Sequence, residues 1–369
     1  MDQRAYWMGF DQVRGVGSVT TKKLLDHFGD LSLAWASDKQ ELIQAGLSDK
    51  IVQNLLSTRK TIDLISEWEK IEQNNIEVIT FNQESYPENL KNIEHPPPVL
   101  YLKGDVIDDD VYAVAVVGTR RKTSYGERIA RTLGEFLAAN TITVVSGMAR
   151  GIDTIAHQSS IRSGGRTLAV LGCGVDVTYP PENKKLSAEI IQNGALVSEY
   201  YPGTIPDAKN FPPRNRLIAG LSRIVIVVEA GEKSGALITA RFGVEQSKDV
   251  FAVPGSIYAP RSMGTNQLIH KGAIPLIDFH DILLALNMKQ TAEFRYVQKV
   301  LPESDLEKKI IDVLQDEAVQ IDEIQASVGA SAETVSSTLV MMELKGMIKQ
   351  IENMRYQTIA DGQIQWEVE

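Results

Sequence analysis

The 369-residue chain has one cysteine, Cys173, and five histidines scattered along its length. A single thiol closes no internal disulfide, and neither residue type clusters as a Cys-rich or His-built metal site requires. No metal and no other cofactor is expected. No apolar run approaches the roughly 18 residues of a membrane span. The first residues, Met1 to Gly15, lack the apolar core of a signal peptide. A reducing cytoplasm is the expected setting, and a membrane is not an expected partner. With 43% hydrophobic and 23% charged residues, the composition is too apolar for disorder and suits two or three packed domains.

The net charge of −10 argues against a nucleic-acid partner, but its distribution argues the other way. Residues 1–110 carry 11 Lys and Arg against 19 Asp and Glu, and residues 281–369 carry 8 against 16. Residues 111–280 carry 19 against 13, a net of +6. A basic centre between two acidic ends points to a polyanion site in the middle.

Residues 1–75 read as a small helical domain. In it Gly15-Val16-Gly17 leads into an amphipathic stretch that Gly29 stops, the pattern of a helix-hairpin-helix. Such a turn either offers backbone N–H groups to a phosphate or simply joins two packed helices. A polar, proline-rich connector follows within 76–110. Tyr86 to Leu102, with Pro87 and Pro96-Pro97-Pro98, is not expected to hold regular helix. From 111 to 280 short β-branched runs alternate with helix-like stretches of about a dozen residues. That alternation predicts a parallel sheet covered on both faces, a Rossmann-like α/β core over 76–287. Residues 288–303 read as a linker and 361–369 as a tail. Between them, 304–360 reads as three short helices and a β-wing, a winged helix. Its third helix, Ser331 to Lys345, has Lys345 as its only cation. It suits protein binding or regulation better than reading a duplex groove.

In a parallel sheet ligands bind beyond the carboxyl ends of the strands, and five segments fall there. Gly118-Thr119-Arg120-Arg121-Lys122-Thr123 joins a close-approach glycine to hydroxyls and three cations, an anion cradle opening a helix. Ser146 and Gly147 follow the next strand, and Asp153 and His157 lie one helical turn apart, either as an acid–base pair or as a cap and a satisfied histidine. Gly172-Cys173-Gly174 begins a dinucleotide fingerprint without its third glycine, and Lys184 and Lys185 lie just beyond. Phe211-Pro212-Pro213-Arg214-Asn215-Arg216 sets an aromatic, able to stack a base, beside two arginine forks. Lys233-Ser234-Gly235 opens a further helix that carries Thr239. Four of these loops are expected to meet at one basic rim that grips a phosphate chain.

Val117-Gly118-Thr119-Arg120, Ser146-Gly147-Met148-Ala149-Arg150-Gly151-Ile152-Asp153, Arg214-Asn215-Arg216 and Ser234 to Ala240 together resemble the DprA/Smf family. Val253-Pro254-Gly255-Ser256 and Gly264 to Ile269 extend the resemblance, which is close over about 80–290. It implies a non-enzymatic protein of natural transformation that binds and protects incoming single-stranded DNA, loads the RecA recombinase and forms a homodimer through its core. By motif, Arg120 meets phosphate, Ser146, Gly147, Ser234 and Gly235 line the pocket, and Lys184, Arg214 and Arg216 are basic grips. Gly118, Thr119, Thr123, Phe211, Asn215 and Thr239 complete the expected DNA-binding set. Two other classes compete. A nucleotide-processing hydrolase of similar core needs a glutamate soon after its glycine-rich loop, whereas Ser234–Val244 holds no acid. A winged-helix regulator needs a more basic third helix.

Overall fold

In the computed structural model, residues 1–286, 304–314, 319–344, 347–351 and 355–358 are described, so the expected linker and tail lie outside them. The chain divides near residue 289 into two compact units.

The first unit opens with six helices: α1 (Arg4–Asp11), α2 (Ser18–Phe28), α3 (Leu31–Ala36), α4 (Lys39–Gln44), α5 (Asp49–Thr61) and α6 (Leu64–Gln73). Short polar side chains start four of them. Asp30, Asp38, Ser48 and Asp63 each accept a backbone N–H of the first turn. The apolar faces bury Trp7, Phe10, Leu24, Leu42 and Leu55, and this core runs on into Tyr101, Met148 and Ala169 of the sheet region. The helices thus brace the sheet that carries the site.

The rest of the unit comprises β1 (Glu77–Thr80), α7 (Glu88–Lys91), β2 (Val99–Gly104), β3 (Val114–Gly118), α8 (Ser124–Ala139), β4 (Val144–Ser146), α9 (Ile152–Arg162), β5 (Thr167–Val170), α10 (Lys184–Gln192) and β6 (Gly194–Ser198). It continues through α11 (Phe211–Gly220), β7 (Ile224–Glu229), α12 (Ala236–Glu245), β8 (Asp249–Ala252), α13 (Met263–His270), β9 (Ile274–Pro275) and α14 (His280–Ala285). The strands form one sheet in the order β1-β2-β6-β5-β4-β3-β7-β8-β9. From β6 to β9 every pairing is parallel. The central strands are buried along most of their length, as the continuous apolar runs predict.

The stretch expected to be an irregular connector is more ordered than its prolines suggest. β1 and β2 pair antiparallel and extend the sheet beyond β6. The one-turn helix α7 also contradicts the expectation of no helix there. Pro87 sits at its N-cap, where a missing N–H costs nothing, and the three prolines come only after it has ended.

Strands β3, β4, β5 and β6 step outward in one direction. The chain then returns to lay β7 on the other side of β3. This reversal leaves a crevice beyond the carboxyl ends of β3 and β7, the switch point where open α/β sheets bind ligands.

The second unit holds α15 (Asp305–Val313), β10 (Val319–Gln320), α16 (Ile321–Val328), α17 (Ala332–Leu344), β11 (Ile348–Ile351) and β12 (Arg355–Thr358). Strand β12 pairs antiparallel with both β10 and β11. Ile310, Ile324, Val335, Leu339, Ile348 and Tyr356 bury one small core. This is the expected winged helix. Its helix α17 carries no Lys or Arg.

Candidate nucleic-acid interface

A cleft of about 880 Å³ occupies the switch point. One wall is the loop after β3, which closes as a tethered arch. Thr119 N–H donates to the Glu229 carbonyl at 2.7 Å, and the amide and hydroxyl of Thr123 donate to the Glu229 carboxylate at 2.9 and 2.7 Å. Thr123 Oγ1 also caps α8 by accepting from Gly126 N–H. With both feet fixed, the arch presents Arg120 and Arg121 as exposed side chains lining the cleft. Lys122, the third cation, is spent on Glu127. The opposite wall is the turn after β7, with Lys233, Ser234 and Gly235, and Arg261 lines the cleft from beyond β8. Among the described residues no carboxylate pairs with Arg120, Arg121, Lys233 or Arg261.

The loop after β4 shapes the floor. Ser146, fully buried, donates to the Val116 carbonyl at 2.6 Å and does not face the cleft. The N–H groups of Gly147 and Met148 are spent inside the protein and are not open to a ligand. Gly147 N–H donates to Asp153 at 3.2 Å, and Ala149 and Gly118 N–H also favour that carboxylate. Burial pushes the Asp153 carboxyl up, while nearby Arg214 opposes the shift. Asp153 therefore acts as an internal acceptor that orders three loop backbones. It does not pair with His157. His157 Nδ1 lies 2.6 Å from Thr167 Oγ1, which itself donates to the Val144 carbonyl, so the ring donates at Nδ1. Its Nε2 accepts from Met148 N–H at 3.3 Å. Burial pushes the imidazole down to about 3, so it is neutral, with its single proton held at Nδ1 toward Thr167. Gly151, at φ +84°, passes so close to the arch that a Cβ would lie 2.3 Å from the Thr119 carbonyl oxygen. Only glycine fits there.

The segment read as two arginine forks splits into different jobs. Arg214 is 4% exposed and donates to the carbonyls of Gly147 and Val170, which ties α11 to the ends of β4 and β5. Its guanidinium borders the cleft but is largely consumed inside. Arg216 turns away and pairs with Glu199 among side chains that are mostly buried, so it is not a free grip. Helical geometry explains the split: residues two apart on a helix face nearly opposite ways. Phe211 lines the cleft but is already engaged. Tyr179 packs on it with ring centroids 5.6 Å apart, and the Arg120 and Arg214 guanidinium carbons lie 5.9 and 5.7 Å from its centroid. Asn215 donates to the Gly235 carbonyl at 3.3 Å, joining α11 to the opposite wall.

Of the residues expected at the site, Gly118, Thr119, Arg120, Phe211, Arg214, Asn215, Ser234, Gly235 and Thr239 line the cleft. Gly147 borders a small annex below Arg120 and Tyr179. Thr123 and Ser146 support it from behind, and Lys184 and Arg216 lie off the cleft wall. Arg261 and Tyr179 line the cleft without having been expected there. Arg261 stands between two quoted motifs, Val253 to Ser256 and Gly264 to Ile269, where a lone cation in a loop carries no pattern. Tyr179 belongs to a proline-rich turn, and a turn residue shows its direction only in three dimensions.

The chain matches the family model of DNA recombination-mediator protein A over residues 77–287, more than half its length, and that of the DprA winged helix domain over 298–353. Protein Smf of Synechocystis is 36% identical over 96% of this chain and 98% of its own. DNA processing protein DprA of Streptococcus pneumoniae is 43% identical over 54% of this chain and 70% of its own. The X-ray structure of that protein superposes with a TM-score of 0.67 at 33% identity, covering 76% of this chain and 97% of that one. DNA processing protein A from Helicobacter pylori, solved for its single-stranded DNA binding mode, superposes with a TM-score of 0.52 at 33% identity over 57% and 95%. The chain belongs to the DprA/Smf family of DNA-processing proteins.

Proposed function

We propose that the chain holds single-stranded DNA by its backbone in the switch-point cleft and performs no chemistry on it. The observation that carries this reading is the convergence of Arg120, Arg121, Lys233 and Arg261, none of them paired with a carboxylate among the described residues, on one open cleft. Phosphates are the natural ligand of such a set, and binding through them is indifferent to base sequence and sensitive to salt. Thr119, Ser234 and Gly235 let the sugar–phosphate chain approach closely, and Gly118 makes room for Ile152 beneath them. Thr123, Ser146, Gly147, Arg214, Asn215 and Thr239 hold the walls in place. Tyr179, on the Phe211 face, is exposed enough to meet a base.

Among the described residues the only acid lining the cleft is Asp153, buried and held by backbone N–H groups, and His157 is neutral. Neither is placed to act as a general acid or base, which favours binding over hydrolysis. The single-stranded DNA binding of the Helicobacter pylori relative supports the choice of ligand. Family membership supports the wider reading: in the cytoplasm, a homodimer joined through the core protects the incoming strand during natural transformation and passes it to the RecA recombinase. Competition binding tests the ligand. A labelled oligo(dT) strand should be displaced by unlabelled single strand at far lower concentration than by duplex of the same length. Equal displacement by duplex would overturn the reading.

A further inference from the structure

Beyond β8 the chain makes a turn from Pro254 to Ser262, whose tip carries Ile257 and Tyr258, 76% and 88% exposed. The base of this turn is tied down. Asn266 clamps Gly255 from both sides, accepting from its N–H at 3.2 Å and donating to its carbonyl at 3.0 Å. The Tyr125 hydroxyl donates to the Pro254 carbonyl at 2.9 Å. Inside the turn, Ser256 accepts from Tyr258 N–H through its hydroxyl and from Ala259 N–H through its carbonyl. Gly264 N–H donates to the Ala230 carbonyl at 2.8 Å. A Cβ there would lie 2.7 Å from the Ala230 and Gly231 carbonyl oxygens, so the close seat of α13 on the cleft wall requires glycine. The turn is thus anchored to the wall of the cleft, and its penultimate residue, Arg261, lines that cleft.

Nothing in the fold accounts for the aromatic at the tip. Among the described residues no ring packs on Tyr258 and none hydrogen-bonds its hydroxyl, so folding gains nothing from it. A rigid turn that holds an aromatic face in solvent loses little entropy when something covers that face. Tyr258 and Arg261 are three positions apart in the chain, a span of at most about 10 Å. A base whose phosphate meets Arg261 is within reach of the ring.

We propose that Tyr258 is a stacking post at the mouth of the cleft. Its ring takes the face of an unpaired base next to the phosphate that Arg261 holds, with Ile257 beside it as apolar cover. The proposal rests on the single-stranded DNA reading above and adds to it a second, uncharged contact. Stacking accepts every base, so it raises affinity without conferring sequence preference.

Fluorescence anisotropy with labelled oligo(dT) and the full chain, read as a function of salt, tests this. Tyr258→Ala should weaken binding on the order of tenfold and leave the salt dependence unchanged, because no phosphate contact is lost. Tyr258→Phe should bind as the parent does. Arg261→Ala should weaken binding and flatten the salt dependence. A strand made abasic should cost the parent affinity and cost Tyr258→Ala less. Because Tyr258 and Arg261 are both exposed side chains, these variants keep the fold. If Tyr258→Ala binds like the parent while Arg261→Ala is impaired, the stacking post is wrong and the DNA reading stands. The stacking post is equally wrong if Tyr258→Ala flattens the salt dependence, or shifts the association state of the chain while binding the strand normally. If the parent itself does not bind the strand, both readings fall.

Discussion

Thr123 gives both its amide and its hydroxyl to one carboxylate, that of Glu229, at 2.9 and 2.7 Å. The Glu229 carbonyl also receives Thr119 N–H. One residue at the end of β7 therefore holds both feet of the arch that carries Arg120 and Arg121. Glu229 is 2% exposed, so removing it leaves buried donors unpaired. Glu229→Ala should lower stability by about 2–3 kcal/mol and weaken strand binding although it removes a negative charge near the cleft. Glu229→Gln, which keeps one acceptor, should fall between. Thermal unfolding alongside oligo(dT) affinity checks this, and undiminished binding by Glu229→Ala would show that the arch needs no tether.

His157 makes stability depend on pH. Its native value of about 3 lies below the ordinary 6.5 of histidine, so the unfolded chain takes up a proton on acidification before the native one does. Stability from this residue is complete above 6.5 and is lost as pH falls toward 3. The cause is burial, with the nearby Arg214 charge acting the same way; a proton on Nε2 would also face Met148 N–H, donor against donor. The loss should approach about 2 kcal/mol by roughly pH 5. Comparing the parent with His157→Gln by denaturant unfolding at neutral and acid pH isolates the effect. The gap between them should shrink on acidification, and a constant gap would contradict the assignment.

Arg216 and Glu199 pair with most of their side-chain surface hidden. Burial pushes the Glu199 carboxyl up and the guanidinium opposes the shift. Arg216→Ala leaves that carboxylate without its partner and should cost on the order of 3 kcal/mol. Measured well below its melting temperature, the variant should keep the parent's salt dependence of strand binding. A flattened dependence would return Arg216 to the set of phosphate contacts.

Lys248 closes the far end of the helix that carries Phe211 and Arg214. Its ammonium donates to the carbonyls of Ala219, Gly220 and Ser222 at 2.6, 2.7 and 2.5 Å, just where α11 runs out of its own donors. Lys248→Met keeps much of the apolar stem and removes three bonds. Unfolding should show a loss of about 2 kcal/mol or more, and an unchanged midpoint would refute the capping role.

Much of the fold and of the cleft is legible in the sequence. Strands β3 and β7 announce themselves as β-branched runs, because a strand buried on both faces has no polar alternation to disguise it. Gly118 to Arg120 and Ser234-Gly235 fall at strand ends, so the topology carries them to the cleft. Sequence is silent where direction matters. Arg214 and Arg216 look equivalent in sequence, but helix α11 sends one into the floor and the other to Glu199. Ser146 is a hydroxyl at the right height whose partner is the Val116 carbonyl. Asp153 and His157 have the spacing of a pair, but backbone donors from folded loops claim both. β1 and β2 are hidden by the prolines near them, since strands at the margin of a sheet are chosen by their neighbours more than by their own residues.

The central claim is that four cations on separate loops hold one phosphate chain, and salt dependence reads that directly. The slope of log affinity for oligo(dT) against log salt should be compared between the parent and a variant with Arg120, Arg121, Lys233 and Arg261 all changed to Ala. Each lost phosphate contact on a single strand should reduce the slope by roughly 0.7, so the variant's slope should be shallower by roughly 3. A variant that folds normally and keeps the parent slope would contradict the account.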